Sequence, residues 1–474
     1  MVEALQPDIC VIGAGAGGLA LAFAAAALGV PVVLVEKDRP GGDFHTGSVP
    51  SKAFIAAART ADAMRRGRAF GLGKIKPEAD FRRIRQHVAE TVAALAPNYA
   101  AERLAALGVR LITAEGAFKD KSTFVAGDFE IKARRFVIAT GTSPFIPHIP
   151  GLDSIGFFTT DTIFVNEQRP GHLAVIGGDP VGLELAQAHR RLGCGATVIN
   201  PRIALGAEDP EMAAVVLRAL RAQGIAILEN AKIQGIEKRA DETIHVHLAA
   251  GAGPRLVEAT HVLIAGDRQP NVDGLGLDKA GIAFDRKGIK VSPKLVTSNR
   301  RVYAIGDVTG GRQSAQLATQ QAGMLVRPLF LRRPAKIEVG KVPYLILTDP
   351  ELAHAGLSEA QAEARHRRIK VYRWPYVENE RAQGERRTEG HIKLVTDRDG
   401  KLLGATIAGA NAGELISFWS LAIGKQMTLA DVSSFMPAYP TFSEIGKRVT
   451  LAYALEAARK PATRALIRVL RWFG

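Results

Sequence analysis

Three glycines near the N-terminus have the spacing of a turn that brings backbone amides up to a phosphate. Gly13, Gly15 and Gly18 follow a short apolar strand and open an Ala/Leu-rich helix. The first glycine permits the tight turn, the second lets the backbone approach a pyrophosphate, and the third lets helix and strand pack closely. The helix N-terminus offers free N–H groups, and Glu36, after the next apolar strand, can accept from ribose hydroxyls. The stretch therefore predicts a dinucleotide-binding βαβ unit.

A second stretch that could carry chemistry, residues 41–52, reads GGDFHTGSVPSK. It resembles the active-site helix of the flavin-dependent pyridine nucleotide–disulfide oxidoreductases, which include dihydrolipoamide dehydrogenase, glutathione reductase and mercuric reductase. In that family the pattern is GG-x-C-x-x-x-x-C-x-P-S-K. The segment lacks both cysteines of this pattern. The positions that do match are Gly41, Gly42, Pro50, Ser51 and Lys52.

The redox disulfide that defines this family cannot form in this segment. Counted back from Lys52, Ser48 stands at the second cysteine position. The segment is one residue short, so Phe44 takes roughly the place of the first cysteine and its neighbour. A serine hydroxyl neither exchanges with disulfides nor forms a thiolate–flavin charge-transfer pair. We expect His45 and Ser48 to line a substrate pocket, with His45 as a candidate proton donor; a solvated loop histidine is the alternative.

The resemblance extends from residue 8 to about residue 457 and implies an α/β fold. Two Rossmann-like dinucleotide-binding domains, in the glutathione reductase-like FAD/NAD(P) arrangement, would be followed by an α+β C-terminal dimerisation domain. The implied parts are an FAD-binding domain (1–150), an NAD(P)-binding-like domain (151–270), a second FAD-binding part (271–335), an interface domain (336–458) and a basic amphipathic tail (459–474).

The resemblance implies FAD as a cofactor and assigns further residues to it. Thr140 and Gly141 form the turn that closes the first nucleotide domain in the family. Gly306 and Asp307 follow a short apolar strand, and the family's aspartate at this position binds the ribityl chain of FAD. Gly42 of the active-site segment is also expected to lie at the flavin.

Lys52 and Glu184 correspond to a lysine–glutamate pair of the family. There the lysine lies near the flavin ring and stabilises negative charge on its reduced form. Retention of both residues favours continued flavin chemistry, and a purely structural buried ion pair is the alternative.

A second dinucleotide-type unit, beginning near residue 172, departs from the family pattern. Gly177 and Gly182 are in place, but the middle glycine is Asp179, whose carboxylate can cap the helix and repel phosphate. Asn200 stands where an acid would bind the NAD ribose, and Arg202 could meet a 2′-phosphate. Two interpretations stay open: another loop geometry holds NADP, or binding of the nicotinamide nucleotide is weakened or lost.

Near the C-terminus, the stretch 437–444 reads PAYPTFSE. Disulfide reductases place a His–Glu acid/base pair here, and the corresponding residues are Tyr439 and Glu444. A phenol with an ordinary pKa near ~10 is a poor proton shuttle at neutral pH, although it can donate a hydrogen bond. In the tail, Arg464 lies on a basic helical face opposite Leu466. This pattern indicates either weak contact with anionic lipid or a helix packed on the dimer.

Composition narrows the class of protein. The net charge of +15 is scattered along the chain, which favours anionic ligands and argues against specific nucleic-acid binding. The two cysteines, Cys10 and Cys194, are expected to be buried, and with no CxxC or Cys/His cluster we expect no metal site. No signal peptide or membrane span is indicated, and we expect a cytoplasmic homodimer; peripheral contact of its tail with the inner face of the membrane stays open.

Three hypotheses for function follow. The first is an FAD-dependent oxidoreductase without a redox disulfide, which takes electrons from NAD(P)H or another donor and passes them to a small acceptor such as a quinone. The second is a flavin-bound protein with lost or minimal turnover that acts as a binding or assembly partner. The third, an ordinary dihydrolipoamide dehydrogenase or mercuric reductase, is disfavoured by Ser48.

Overall fold

The chain was analysed as a computed structural model, which describes residues 3–249, 255–333, 342–459 and 461–473. It divides into two compact units. The first consists of Met1–Gly177, Ala188–Ile199 and Ala231–Ile337, and the second of Gly178–Gln187, Asn200–Asn230 and Glu338–Gly474. The predicted domain boundary at 335/336 lies outside the described residues, and the other predicted boundaries stay predictions.

The strands are mostly short. In chain order they are β1 Glu3–Leu5, β2 Ile9–Ile12, β3 Val32–Glu36, β4 Val109–Thr113, β5 Gly116–Phe118, β6 Phe124–Ala126, β7 Phe129–Ile131, β8 Arg135–Ile138, β9 Thr142–Pro144, β10 Phe158–Thr159, β11 His172–Ile176, β12 Gly195–Ile199, β13 Ala226–Leu228, β14 Ile233–Lys238, β15 Ile244–Leu248, β16 Leu256–Ala259, β17 His261–Ile264, β18 Arg268–Pro270, β19 Phe284–Asp285, β20 Gly288–Ile289, β21 Val302–Ala304, β22 Tyr344–Ile346, β23 Glu351–Gly356, β24 Ile369–Pro375, β25 His391–Asp397 and β26 Leu402–Gly409.

The α-helices range from single turns to five turns. In chain order they are α1 Ala16–Ala27, α2 Asp43–Thr46, α3 Ser48–Arg66, α4 Phe81–Leu95, α5 Ala101–Ala106, α6 Pro180–Arg191, α7 Pro210–Ala222, α8 Ala315–Phe330, α9 Glu359–Arg365, α10 Glu380–Gly384, α11 Ala412–Gly424, α12 Leu429–Val432, α13 Glu444–Ala458 and α14 Pro461–Leu470.

The first unit is built around a five-stranded parallel sheet in the order β21-β8-β2-β3-β4. Its strands read as continuous apolar runs because both faces of the sheet are covered. Val11 and Leu34 point to one face, where they pack with residues of α1 and α8. Ile12 and Val35 point to the other face and pack against the small sheet β1-β7-β6-β5. The glycine turn of the first βαβ unit therefore begins at the carboxyl edge of a fully covered sheet.

A second parallel arrangement in the same unit contains β10, β17, β11 and β12 in that order. Its strands are buried, as Leu173 and Val198 show with zero exposure. Beside it lies an antiparallel three-stranded sheet, β14-β15-β16. Two parallel dinucleotide-type sheets are thus present, as the sequence predicts.

The second unit contains an antiparallel five-stranded sheet in the order β22-β23-β26-β25-β24. Apolar residues of its central strands, including Ile392 and Ile407, form one core with Trp419 of α11 and Ile445 of α13. This α+β part matches the predicted C-terminal domain in type. The predicted α/β fold class is therefore confirmed.

One predicted helix is divided. The apolar spacing from Val88 onward predicts a single helical stretch over about residues 81–107. In the structure, α4 ends at Leu95, a 3-10 turn covers Ala96–Tyr99, and α5 begins at Ala101. Pro97 lies in this turn, and a proline cannot supply the amide that a continuous helix needs. The other structural expectation, burial of both cysteines, is confirmed: Cys10 and Cys194 are free and buried.

No helix in the described parts of the chain is both long and apolar enough to cross a bilayer.

Candidate functional site

The first glycine turn has the geometry that its spacing predicts. At Gly13, φ is +102° and an added Cβ would lie 2.5 Å from the Ala139 carbonyl oxygen. A Cβ at Gly18 would overlap the carbonyl oxygen of Gly13, so this glycine allows α1 to approach the turn. Gly15 differs, because no atom lies within 4 Å of an added Cβ. The turn is therefore tight on its protein side and open at Gly15, beside the N-terminus of α1.

The Glu36 carboxylate lies beside this turn at the end of β3. Its Oε2 accepts a hydrogen bond from the Ala14 amide at 2.7 Å, and its Oε1 accepts one from the Asp38 amide at 3.2 Å. These two bonds fix the orientation of the carboxylate. Each oxygen still has a second lone pair, which can accept from a ribose hydroxyl.

Asn271 ties the two closing turns of the first unit together. Its Nδ2 donates to the Thr140 carbonyl oxygen at 2.8 Å, and its backbone amide donates to the Gly141 carbonyl oxygen at 3.0 Å. The Thr140 hydroxyl donates in return to the Asn271 carbonyl oxygen at 2.8 Å. Hydrogen bonds thus join the turn at Gly141 to the turn at Asn271, 130 residues later in the sequence.

Asp307 is half-buried just after β21. Its Oδ1 accepts from the Ser314 amide at 3.0 Å, while the amide of Gly306 donates to Gln321 Oε1 at 2.6 Å. Burial raises the pKa of Asp307, the amide of Ser314 opposes this rise, and the nearby Asp43 charge adds to it. A fixed carboxylate of this kind can accept hydrogen bonds from the hydroxyls of a polyol chain.

These residues fit the predicted FAD. The open side of Gly15 and the amides of α1 can receive a pyrophosphate, Glu36 can accept from the ribose, and Asp307 can accept from the ribityl chain. Their individual roles in FAD binding stay predictions.

The active-site segment lies directly against the glycine turn. The Gly41 amide donates to the Ala14 carbonyl oxygen at 2.8 Å, and a Cβ on Gly42 would stand 3.2 Å from Gly15 Cα. Positive φ values of +119° and +53° at these two glycines allow this approach. Gly42 therefore holds the start of α2 beside the predicted pyrophosphate site.

Within this segment, Asp43 and Ser48 face each other. The Ser48 hydroxyl donates to the Asp43 carbonyl oxygen at 3.3 Å, and it also interacts with the Asp43 carboxylate. A Cβ on Gly47 would overlap that carboxylate, so glycine is required between them. Four residues separate Asp43 from Ser48, which is also the spacing between the two cysteines in the family pattern.

The structure therefore changes one interpretation. The sequence places Phe44 roughly at the first cysteine position, but Phe44 is buried and packs against Tyr99, with the ring centroids 4.4 Å apart. Asp43, which the sequence analysis missed, is the residue opposite Ser48. Spacing measured from Ser48, rather than from the paired glycines, is the signal that could have found it.

The environment of Asp43 favours its protonated form. Solvent reaches the carboxylate, yet protein surrounds most of it, and this burial raises its pKa. Arg268 and Lys52 oppose the rise, whereas the charge of Asp161 adds to it. Arg268 is itself engaged with Asp161, with Nη1 donating to Oδ1 at 2.7 Å. Asp43 is thus a carboxyl that can hold a proton to a higher pH than an ordinary aspartate.

His45 is held inside the segment. Its Nε2 lies 2.8 Å from the Pro40 carbonyl oxygen, and its ring meets Phe44 edge to face with centroids 4.8 Å apart. Its Nδ1 is buried with no hydrogen-bond partner among the described residues. The Nε2 proton therefore stabilises the loop, and the predicted role of His45 as a proton donor stays a prediction.

The second glycine turn differs from the first at its middle position, which is Asp179. Gly177 has φ +126°, and α6 begins at Pro180, directly after Asp179, as predicted. Gly182 lies buried in the first turn of this helix. A negative charge directly before the helix start opposes phosphate binding there, and the effect of Asp179 on a nucleotide stays a prediction.

The end of β12 lies close to this turn. Asn200 is buried, and its carboxamide would lie 2.9 Å from a Cβ placed on Gly178. The loop that follows returns to the turn, since the Leu205 amide donates to the Gly178 carbonyl oxygen at 3.1 Å. Arg202 is exposed on this loop, and its contact with a 2′-phosphate stays a prediction.

In the second unit, the residues at the family's acid/base positions, Tyr439 and Glu444, have different hydrogen-bond partners. Tyr439 is 71% exposed, and its hydroxyl donates to Glu380 Oε2. This bond to Glu380 raises the pKa of Tyr439. Glu444 starts α13 and accepts from the Thr441 amide at 3.4 Å. Tyr439 thus keeps its proton at neutral pH, which makes it a hydrogen-bond donor and not a base.

Lys52 and Glu184 lie in different units. Lys52 is exposed on α3, whereas Glu184 is buried on α6 and accepts from the Leu347 amide at 2.7 Å. The pairing of Lys52 with Glu184 stays a prediction.

A further group of side chains was not found from the sequence. Glu237, His245 and His247 lie on neighbouring strands, and their nitrogen and oxygen atoms are all within 4.8 Å of one another. The sequence analysis predicts no metal site, because the chain has no CxxC motif or Cys/His cluster. The His-x-His alternation within a strand pattern is the signal that points to such a group.

Comparison with known proteins agrees with this geometry. Residues 7–322 match the family described as pyridine nucleotide-disulphide oxidoreductase, and residues 342–449 match the dimerisation domain of that family. A dihydrolipoyl dehydrogenase from Thermus scotoductus is 35% identical over 469 residues, covering 97% of this chain and 99% of the relative. A mercuric reductase from Bacillus cereus is 31% identical over 456 residues, covering 95% of this chain and 72% of the relative.

A solved structure shows the same architecture. The HOCl-induced flavoprotein disulfide reductase RclA from Escherichia coli superimposes with a TM-score of 0.82 at 25% sequence identity. The match covers 94% of this chain and 99% of RclA.

Proposed function

The chain belongs to the pyridine nucleotide–disulfide oxidoreductase family of FAD-dependent oxidoreductases, and we propose that it transfers electrons through FAD without a redox-active disulfide. The observation that carries this proposal is the Asp43–Ser48 pair, which has the spacing of the family's two cysteines. Neither side chain can form or break a disulfide. Electrons therefore leave directly to a small acceptor that is not a disulfide. The dimerisation-domain match supports a homodimer.

FAD supplies two-electron redox chemistry when it is bound. The protein residues bind and orient it: the glycine turn receives the pyrophosphate, while Glu36 and Asp307 accept hydrogen bonds from hydroxyl groups. Lys52, exposed on α3, would supply a positive charge to balance the negative charge of a reduced flavin. Burial raises the pKa of Asp43, so its carboxyl keeps a proton to a higher pH than an ordinary aspartate and can deliver that proton to an acceptor at the same site.

The residues of the second glycine turn bear on which electron donor the protein uses. Asp179 and the buried Asn200 both weaken the site for an anionic nucleotide, so we propose that NAD(P)H binds poorly or that another donor replaces it. Anaerobic mixing with NADH and then NADPH, followed by flavin bleaching, tests this. Rapid bleaching by either nucleotide would contradict it, and the variant Asp179→Gly should bleach faster than the native protein.

The central test counts electrons. Anaerobic titration with dithionite should consume about two electrons per flavin, with no long-wavelength charge-transfer band, because no disulfide accompanies the flavin. The double variant Asp43→Cys/Ser48→Cys recreates the cysteine spacing of the family and serves as the matched control. Uptake of about four electrons by the native protein would refute the proposal.

The alternative function, a flavin-bound assembly partner with minimal turnover, is favoured by Asp179 and by Tyr439, which is held as a donor. The two functions are distinguished by rate. Reduction of a soluble quinone by the chemically reduced protein, much faster than by free reduced FAD, supports the enzyme. A rate equal to that of free FAD supports the assembly partner.

For the C-terminal tail, we propose weak contact of helix α14 with anionic lipid at the cytoplasmic face of the membrane. Arg464 and Arg468 share one face of α14, Arg471 follows directly after the helix, and the opposite face exposes Leu466 and Leu470, at 57% and 56%. Flotation with vesicles of phosphatidylglycerol and phosphatidylcholine tests this. Binding should require the anionic lipid and fall when all three arginines become glutamine. Equal binding to neutral vesicles, or none to either, would refute it.

A further inference from the structure

The three-stranded sheet of the first unit carries two histidines on one face. His245 and His247 lie two residues apart on the middle strand, β15 (Ile244–Leu248), so their side chains point to the same side. Glu237 on β14 pairs with His245 in the strand register. Glu258 on β16 pairs with His245 from the other edge. One face of the sheet therefore gathers two imidazoles between two carboxylates.

The distances between these groups are close to those of a metal-binding site. Glu237 Oε1 lies 3.3 Å from His247 Nε2 and 3.9 Å from His245 Nδ1. The donor atoms of the three residues all lie within 4.8 Å of one another. Ligands bound to one Zn²⁺ at about 2.0–2.2 Å lie somewhat closer together, so small rotations of the side chains would bring them into range. His245 is 18% exposed, and the other two side chains are nearly half exposed, which leaves an entry path from solvent.

We propose that Glu237, His245 and His247 bind one divalent transition-metal ion. Two imidazoles and one carboxylate suit Zn²⁺, Cu²⁺ and Ni²⁺, whereas Mg²⁺ and Ca²⁺ prefer oxygen ligands. Water fills the remaining positions on the ion, and Glu258 lies near enough to join, with its Oε1 3.9 Å from His245 Nε2. Because the ligands come from two strands, the ion joins β14 to β15 at a place separate from the predicted flavin site.

The competing interpretation is that these residues form only a surface ion pair. A variant of the neighbouring Arg239 distinguishes this interpretation from a metal site. Arg239 Nη1 lies 3.2 Å from Glu237 Oε1, so it neutralises the carboxylate when no metal is bound. A bound cation must displace or repel this guanidinium. The variant Arg239→Gln should therefore bind metal more tightly than the native protein, whereas a simple ion pair predicts no metal binding in either.

The experiment uses untagged, full-length holoprotein dialysed against EDTA. Zn²⁺ binding is measured by competition with a chromogenic indicator. The native chain should bind one ion, and His247→Ala and Glu237→Gln should each lower the affinity at least about tenfold. His87→Ala, on the exposed face of α4, is the matched control and should bind as the native protein does. Unchanged flavin absorbance shows that each variant is folded.

A spectroscopic readout identifies the ligands. The electron paramagnetic resonance spectrum of one equivalent of Cu²⁺ should show coupling to two imidazole nitrogens, reduced to one in His247→Ala. Affinities should rise from Co²⁺ to Ni²⁺ to Cu²⁺. Equal zinc affinity in the native protein, His247→Ala and Glu237→Gln would overturn the proposal, as would a native chain that takes up no Zn²⁺ at micromolar concentration.

Discussion

Replacing Gly15 with alanine should separate FAD binding from folding. Gly15 has φ −76°, which alanine adopts readily, and no atom lies within 4 Å of the added Cβ. Alanine stabilises by about 0.4–1 kcal/mol by restricting the unfolded chain, but it is a poorer N-cap for α1 by a similar amount. The free energy of unfolding of the FAD-free protein should therefore change by less than about 1 kcal/mol.

The effect on FAD should be larger. The new methyl group occupies the open space through which a pyrophosphate reaches the amides of α1. Losing one hydrogen bond from an amide to a charged phosphate costs about 1.5–3 kcal/mol, which corresponds to an affinity loss of roughly tenfold to a hundredfold. The assay is FAD content after gel filtration, together with FAD titration of the stripped protein followed by flavin fluorescence.

The variant Gly18→Ala is the matched comparison. Its Cβ would overlap the carbonyl oxygen of Gly13, a backbone atom that cannot rotate away. Overpacking of this kind costs about 1–3 kcal/mol, so its Tm should fall even without FAD, by about 2–4 °C per kcal/mol. The reasoning is refuted if Gly15→Ala binds FAD as tightly as the native protein, or if Gly18→Ala is as stable as Gly15→Ala in the stripped state.

Three other predictions concern charge. Lys393→Met should lower the free energy of unfolding by about 3–5 kcal/mol in urea titrations. The Lys393 side chain is 3% exposed, and its ammonium lies within 2.9 Å of carboxylate oxygens of Asp209, Glu211 and Glu359. Without the ammonium, these three carboxylates repel each other. The bond from Arg373 lowers the pKa of Glu211 from 4.5 to about 2, so its stabilising contribution is present above pH 4.5 and disappears as the pH falls towards 2; Glu211→Gln should flatten the stability curve in that window. Asp43→Asn should remove the fall in quinone-reduction rate as the pH rises through the raised pKa of Asp43, and an unchanged pH profile would exclude Asp43 as the proton donor.

The cofactor fold was predictable because local sequence determines it. Gly13 and Gly18 each admit no side chain, so their positions reveal the turn before any tertiary contact is known. The apolar runs around them form strands that are buried on both faces, and such runs are visible in sequence. The division of the helix at Pro97 was also readable in principle, because proline acts locally.

The residue opposite Ser48 was not predictable with the same certainty. A one-residue deletion can be placed at several points of the segment: counting from the paired glycines selects Phe44, whereas counting back from Ser48 selects Asp43. Packing decides, because Phe44 buries its ring against Tyr99 and leaves Asp43 beside Ser48. Burial raises the pKa of Asp43, and two charges more than a hundred residues away in the chain modify it: Arg268 lowers the pKa and Asp161 raises it.

The sequence by itself thus determined the family, the cofactor and the absence of cysteine from residues 41–52, since each depends on residue types at fixed local spacings. Only the tertiary structure decided which side chains meet. Strand register brings Glu237 opposite His245, and the closing turns join at Asn271, across separations that no local pattern encodes. The physical reason is that side-chain proximity across a sheet depends on pairing register, which is set by the packing of the whole unit.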